Sequence, residues 1–251
     1  MMRLFTAEIV KIVKSRTTWV LTVLGVLLVG IGSVFFITDD TFTGAYTGTD
    51  AQLASLMDQI GGAYIIVLIV GALSVTTEFR HGTIGRTFML NPSRTAVLGA
   101  KLAASAVYAL LFTVVGFLSV VGVLAVLGEL SGSTFGEQTL RTLAVAPLGL
   151  MLAAAFGTAA GALIRSQVLA IAGLMIYALL VETLISQFFP DVSRWLPFSA
   201  LGGVFSSPET RALIPDGFAV PLPVGTAVTV FVAYVLVVSA ISVVLLRFRD
   251  V

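Results

Sequence analysis

The chain has 251 residues, of which 58% are hydrophobic and 11% are charged. Ordinary soluble domains carry roughly a quarter charged residues, so this composition excludes a soluble globular protein and indicates a fold surrounded by lipid. The net charge of +1 gives no reason to expect a nucleic-acid partner. The absence of cysteine excludes disulfides and thiolate metal sites, and a single histidine leaves little for a zinc cluster.

The N-terminal segment, residues 3–16, is predicted to form an amphipathic helix on the membrane surface. Phe5, Ile9, Ile12 and Val13 fall at helical spacing, while the basic residues lie largely elsewhere. A charged leader that only sets orientation is the alternative interpretation. The apolar run that follows is long enough to cross the hydrocarbon core and too long for a typical signal peptide, which predicts a retained first span.

Six apolar runs predict an all-α integral membrane protein with one transmembrane domain over residues 1–251. The predicted spans are residues 17–37, 60–77, 102–127, 143–164, 168–189 and 224–246. Ala153, Gly157 and Gly161 recur every four residues in the fourth span, which allows close helix approach within the bundle or at a dimer face. Prolines interrupt the apolar residues 190–223, which predicts broken, re-entrant-like helices between spans five and six.

Basic residues are concentrated on one side of the predicted bundle. Six spans place both chain ends on the same side, and most Lys and Arg residues fall there: Arg3, Lys11, Lys14, Arg16, Arg80, Arg86, Arg94, Lys101, Arg165, Arg247 and Arg249, against Arg141, Arg194 and Arg211 on the other. The positive-inside rule therefore predicts a plasma-membrane protein with both termini in the cytoplasm.

A polar loop with a basic bias, residues 78–101, separates spans two and three. Its first part, Glu78 to Thr83, mixes charges, an aromatic residue and a glycine, which favours a docking element for a soluble partner. A solvated turn whose arginines only fix topology is the alternative. Asn91 and Pro92 are predicted to start the next helix, as N-cap and first helical residue.

The sequence lacks two common motifs for nucleotide binding and metal-dependent catalysis. There is no phosphate-binding loop of the form G-x-x-x-x-G-K-[ST] and no H-E-x-x-H zinc motif, so no enzyme activity is predicted for this chain. Glu182 is the one acidic residue inside an apolar run, in the outer half of span five. It is predicted either to be structural, by snorkelling or by pairing with Arg194, or to line a translocation route.

These residues resemble a known family. The run Thr77-Glu78-Phe79-Arg80-His81-Gly82-Thr83, followed by Arg94 and Lys101, is similar to the E-[FY]-R-x-G-T loop and trailing R…AK of type-2, export-type permease subunits of ATP-binding cassette (ABC) transporters. Glu182 with Trp195-Leu196-Pro197-Phe198 is a second, weaker match. The resemblance covers essentially the whole chain.

The resemblance implies a permease driven by a separate cytoplasmic ATPase subunit, which binds ATP and Mg²⁺, while this chain holds no cofactor. It implies that the loop forms a coupling helix seated in that ATPase, made of Glu78, Phe79, Arg80, His81, Gly82 and Thr83. A second permease subunit, identical or different, would complete the path, with Glu182, Trp195 and Phe198 at the path or its outer gate. An ion-coupled secondary carrier or channel, and a non-transporting membrane scaffold, are the alternatives.

Overall fold

The computed structural model describes residues 2–38, 46–91, 93–206, 211 and 219–248, without the side chains of residues 247 and 248. All regular structure in these residues is helical, and six helices are long and apolar enough to cross a membrane. The predicted all-α membrane fold with six spans is confirmed. Some sequence predictions fall outside the described residues, namely those on Pro92, on Arg249 and on residues 207–210 and 212–218 of the predicted broken segment.

The first four spans are longer than the hydrophobic runs that predicted them, because polar residues belong to the same helices. They comprise Arg16–Thr38, Asp50–Arg80, Arg94–Leu127, Glu137–Ile164, Gln167–Phe188 and Val224–Leu246. The sixth-span helix itself continues to Phe248. The basic face of the molecule carries the N-terminal helix and the connections between spans two and three and between four and five. The opposite surface, where spans three and four are joined, is the distal face.

Two of the spans are interrupted. Span two consists of the helices Asp50–Gly62 and Tyr64–Arg80, which meet at Ala63. Span five contains Gln167–Ile176, a π-helical turn at Tyr177–Val181 and the helix Glu182–Phe188. A π turn adds a residue to the helical repeat and rotates the residues that follow it. Glu182, the first residue after the turn, is buried.

The N-terminal helix, Met2–Lys14, packs against the bundle by its apolar side. Ile12 is buried in the main hydrophobic core, and Phe5 and Ile9 pack partly against the same core. Of the four residues whose helical spacing predicted an amphipathic helix, Phe5, Ile9 and Ile12 share this packed side and Val13 does not, whereas the placement of the helix on the membrane surface stays a prediction. Val13 lies on the exposed side of the helix with Val10, because Glu8 and Ile12 define the buried side.

Small residues of span four allow it to approach span two closely. A Cβ atom on Gly157 would overlap the carbonyl oxygen of Leu68, and one on Gly161 would crowd the carbonyl of Ala72. Ala153 on the same face is fully buried. The face of small residues predicted from the sequence therefore packs within the bundle.

The distal face is closed by short helices. Residues 190–206 contain the helices Pro190–Ser193 and Pro197–Phe205. The ring of Phe205, the last residue of the second helix, lies against Gly61 of span two and Gly149 of span four. In the described part of the chain, the prediction of broken helices between spans five and six is correct.

The close approach of spans two and four predicts the effect of added methyl groups. Replacing Gly157→Ala forces the two backbones apart and should lower the free energy of unfolding by about 1 to 3 kcal/mol. The matched control is Gly173→Ala in span five, because a Cβ there meets no atom within 4 Å. Unfolding of the purified protein in detergent measures both variants, and an equal effect of the two would contradict this packing.

Candidate functional site

Four side chains on the basic face form a buried charge cluster: Glu8, Lys11, Glu78 and Lys101. At its centre lies the ammonium of Lys101, whose Nζ is 2.7 Å from Glu8 Oε2 and 2.7 Å from Glu78 Oε1. The same nitrogen donates to the backbone carbonyl of Ser74 at 3.0 Å. The Lys101 side chain is only 1% exposed, so these three acceptors replace its hydration shell.

Lys11 closes the charge cluster from the side facing solvent. Its Nζ lies 2.7 Å from Glu8 Oε1 and 2.7 Å from Glu78 Oε1, and its side chain is 47% exposed. Each carboxylate therefore contacts both lysines, and two negative charges balance two positive ones. The charge cluster joins the N-terminal helix to the end of span two and the start of span three.

The pKa of Lys11 is the net result of opposing effects. Burial lowers the pKa of the amine, but hydrogen bonds to Glu78 and Glu8, together with their charges, raise it above the ordinary value of 10.5. The charged form of Lys11 is therefore favoured in the folded protein.

The structure divides the predicted coupling residues among the end of the span-two helix, the turn that follows it and the N-cap of the next helix, which is Thr83. Glu78, Phe79 and Arg80 are the last residues of the span-two helix, and His81 and Gly82 form the turn that follows. Gly82 has a φ of +65°, a left-handed conformation that suits glycine. The separate helix of this connection is Ile84–Leu90, which we call the loop helix. A short helix was predicted at Glu78 to Thr83, and the structure has it after Thr83.

Exposure distinguishes Glu78 from the last four residues of the predicted set, while Phe79 is half-buried. Glu78 is buried in the charge cluster, and its second carboxylate oxygen accepts from the Thr87 hydroxyl at 3.4 Å. Arg80, His81, Gly82 and Thr83 are exposed, and Arg80 donates to Gln167 Oε1 at 3.1 Å. Glu78 thus anchors the loop to the protein interior, whereas the four exposed residues form its surface.

The loop helix presents apolar side chains to the outside. Met89 is 85% exposed and Leu90 is 82% exposed, next to the exposed Arg86, while Ile84 is buried on the opposite side. The sequence prediction missed these residues, although two large apolar side chains within a basic loop could have indicated a contact surface. It also missed Glu8, the one acidic residue in a basic N-terminal segment.

The helix of span three starts later than predicted. Asn91 ends the loop helix, with its N–H donating to the carbonyl of Thr87 at 3.0 Å. Ser93 is the N-cap of the next helix, because its hydroxyl accepts from the backbone N–H of Ala96. The prediction of Asn91 as that N-cap is wrong.

Two arginines tie the loop to the end of span six. The Arg165 guanidinium lies 5.3 Å from the ring centre of Phe79 and donates to the carbonyl of Leu245 at 3.1 Å. The Arg94 guanidinium lies 5.4 Å from the ring centre of Phe88 and donates to the carbonyl of Leu246. Cations are favoured at a helix C-terminus, where carbonyls lack partners in the helix.

The family model described as "ABC-2 family transporter protein" matches residues 4–186. The chain belongs to the ABC-2 transporter family. No curated protein matches it. The matched region of this transporter includes all four residues of the charge cluster, the loop helix, the first four spans and span five up to residue 186. The chain is therefore a multi-pass membrane transport component.

On the distal face of the transporter, Glu182 caps a short helix. Glu182 Oε1 accepts from the Phe198 N–H at 2.9 Å, and Oε2 accepts from the Ser199 N–H at 2.7 Å and its hydroxyl at 2.8 Å. These are donors of the first turn of Pro197–Phe205, which lacks a side-chain cap of its own. The predicted pairing with Arg194 is wrong, because Arg194 lies 3.6 Å from Asp191.

Phe198 and Trp195 occupy different environments. Phe198 is buried, and its ring centre lies 5.7 Å from that of Phe156 and 5.8 Å from that of Tyr64. Trp195 is exposed, and its carbonyl accepts from the Tyr234 hydroxyl at 3.1 Å. Glu182 and Phe198 together fix the short helix against the bundle, whereas Trp195 lies at the surface.

The charge cluster predicts a large cost for removing its central amine. Lys101→Met leaves two buried carboxylates facing one lysine and should lower the free energy of unfolding by about 3 to 5 kcal/mol. Unfolding of the purified protein in detergent measures the loss. Lys14→Met, at an exposed position on the N-terminal helix, is the control. Equal stabilities of the two variants would show that the buried charges are not held as described.

Lys11 predicts a pH dependence with a definite sign. Because its pKa is raised in the folded state, its stabilising contribution is complete below the ordinary pKa of 10.5 and is lost as the pH rises through the raised value. The difference in unfolding free energy between the wild type and Lys11→Gln should therefore be constant up to about pH 9 and shrink in stronger alkali. A difference that stays constant through the alkaline range would contradict the assignment.

Proposed function

We propose that this chain is the permease subunit of an ABC exporter, and that a separate cytoplasmic ATPase subunit drives it. The observation that carries the proposal is the loop helix, which is anchored on its inner side and apolar on its outer side. In this proposal ATP and Mg²⁺ bind to the ATPase, and this chain forms the translocation path.

The outer side of the loop helix has the composition of a protein interface. Met and Arg are enriched in such interfaces, and Met89, Leu90 and Arg86 stand together on this helix. Burying an exposed Met or Leu side chain contributes about 1.5 to 3 kcal/mol. Docking of an ATPase would cover both, with Arg80, His81, Gly82 and Thr83 at the edge of the contact.

The anchoring side of the loop provides two routes for transmitting movement of a docked ATPase. Through Glu78, the end of span two is bonded to Lys101 of span three and Lys11 of the N-terminal helix. Through Phe79 and Phe88, the loop contacts Arg165 and Arg94, which hold the end of span six. A displacement of the loop helix would therefore act on several spans at once.

The remaining parts of the proposal follow the family and the charge distribution. The chain spans the plasma membrane. Both of its termini lie in the cytoplasm, as the surplus of Lys and Arg on the basic face indicates. A second permease subunit, identical or different, completes the path. Glu182, Trp195 and Phe198 belong to its outer gate, because Glu182 and Phe198 hold the helix that closes the distal face.

The proposal predicts that negative charge on the loop helix weakens ATPase binding. In the double variant Met89→Glu, Leu90→Glu, two carboxylates would have to be desolvated at the contact, so retention of the ATPase by the purified permease should fall at least about tenfold. Leu130→Glu, at an exposed apolar position on the distal face, is the matched control.

Vanadate-sensitive ATP turnover and export by vesicles containing both subunits complete the experiment. Export that needs no ATPase would overturn the proposal in favour of an ion-coupled carrier. Stable binding of the ATPase to the double variant would show that the contact lies elsewhere.

A further inference from the structure

The N-terminal helix has a second apolar stripe, on the side that faces away from the bundle. Met2, Val10 and Val13 are 83%, 42% and 45% exposed there. With 3.6 residues per turn, these three positions fall within about a quarter of the helix circumference, on the other side from the buried Glu8 and Ile12. We call these three residues the outer stripe.

Basic residues lie beside the outer stripe. Arg3 and Lys14 are next to Val10 around the helix, and Arg16 begins span one directly beyond it. All three basic residues are exposed, and none takes part in an ion pair among the described residues. The one acidic residue of the helix, Glu8, is buried in the charge cluster. The outward side of the helix is therefore both apolar and positively charged.

An open groove of about 490 Å³ runs along this outward side. It is lined by Met2, Arg3, Thr6, Ala7 and Val10. Apolar and basic side chains thus share one continuous surface, which is typical of helices that lie in the boundary between acyl chains and headgroups.

Two contacts set the depth of the helix relative to the spans. Glu8, in the middle of the helix, contacts Lys101, and the apolar run of span three begins at the next residue. Lys14, at the end of the helix, lies two residues before the start of span one. Both points are at the level where spans enter the hydrocarbon, which favours a helix that runs along the membrane surface.

Trp19 joins the outer stripe to the same level. It lies in the first turn of span one and is 59% exposed, and its Nε1 donates to the backbone carbonyl of Val13 at 2.7 Å. Tryptophan is enriched at the boundary between hydrocarbon and headgroups, because its ring is apolar and its N–H is polar.

We propose that the outward side of the N-terminal helix binds anionic phospholipids. The outer stripe enters the acyl boundary, and Arg3, Lys14 and Arg16 contact the lipid phosphates. Exposed Lys and Arg residues at the surface of an anionic leaflet are attracted to it, and this attraction adds to the burial of the apolar side chains.

This lipid contact differs from the surface helix predicted from the sequence. Three of the side chains used for that prediction, Phe5, Ile9 and Ile12, pack against the bundle, so the lipid-binding residues are others on the opposite side. The contact requires neither the ATPase nor the coupling role proposed for the loop helix. The proposed orientation decides only which leaflet is involved, namely the cytoplasmic one.

Fluorescence of Trp19 in the full chain tests the inference. The chain has two tryptophans, so Trp195→Phe leaves Trp19 as the single reporter beside the outer stripe. The nanodiscs contain phosphatidylglycerol and phosphatidylcholine in equal amounts, with bromine on the chains of one lipid or of the other. Brominated phosphatidylglycerol should quench Trp19 at least about twofold more than brominated phosphatidylcholine, because the basic residues enrich the anionic lipid there.

A triple variant removes the charges that select the lipid. Arg3→Gln, Lys14→Gln, Arg16→Gln should bring the ratio of the two quenching values to about one, because only the apolar attraction remains. The control Arg86→Gln, Arg141→Gln, Arg194→Gln lowers the net charge by the same amount outside the N-terminal helix, and it should keep the ratio of the parent.

Equal quenching by the two lipids in the parent protein would overturn the proposal. A preference for phosphatidylglycerol that survives in the folded triple variant, or that the control loses to the same extent, would also overturn it. Loss of quenching by both lipids on addition of the ATPase would assign this side of the helix to a protein contact and would contradict the lipid contact as well.

Discussion

A single ammonium group, that of Lys101, lies buried where the N-terminal helix, span two and span three meet. Lipid and packed side chains offer a charge no hydration, so its partners must come from the protein itself. Glu8 and Glu78 are those partners, and Lys11 balances the second negative charge. This requirement fixes the N-terminal helix against the bundle and positions the loop helix that follows span two. Everything proposed for this face depends on that arrangement.

The same requirement explains most of the other charged residues near the ends of the spans. Helix ends expose backbone groups without partners, and here distant side chains satisfy them. Asp50 caps the start of span four and Glu182 caps the short distal helix, which places carboxylates at helix N-termini. Arg94, Arg165 and Arg211 bind carbonyls at helix ends, which places cations at C-termini.

Hydrophobic runs predicted the six spans, and the residues around Glu78 predicted the family. The charge cluster was not predictable in this way, because Glu8 and Lys101 are separated by 93 positions and only packing brings them together. Pairing with Arg194 was one of the alternatives predicted for Glu182, yet its partners include backbone N–H groups, which every segment carries and no sequence pattern marks. The loop helix lies beyond the predicted docking segment because Glu78 to Arg80 still belong to the span-two helix. Glu78 is buried there as a partner of Lys101, which the sequence pattern did not reveal.

The chain contains no cysteine, so single cysteines introduced at chosen positions test the central claim directly. Met89→Cys marks the loop helix and Phe135→Cys marks an exposed position on the distal face. A membrane-impermeant maleimide should label the first only in inside-out vesicles and the second only in right-side-out vesicles. Co-expression of the ATPase should protect the first alone. Labelling of the Met89→Cys variant from the outside, or labelling that the bound ATPase leaves unchanged, would contradict the account.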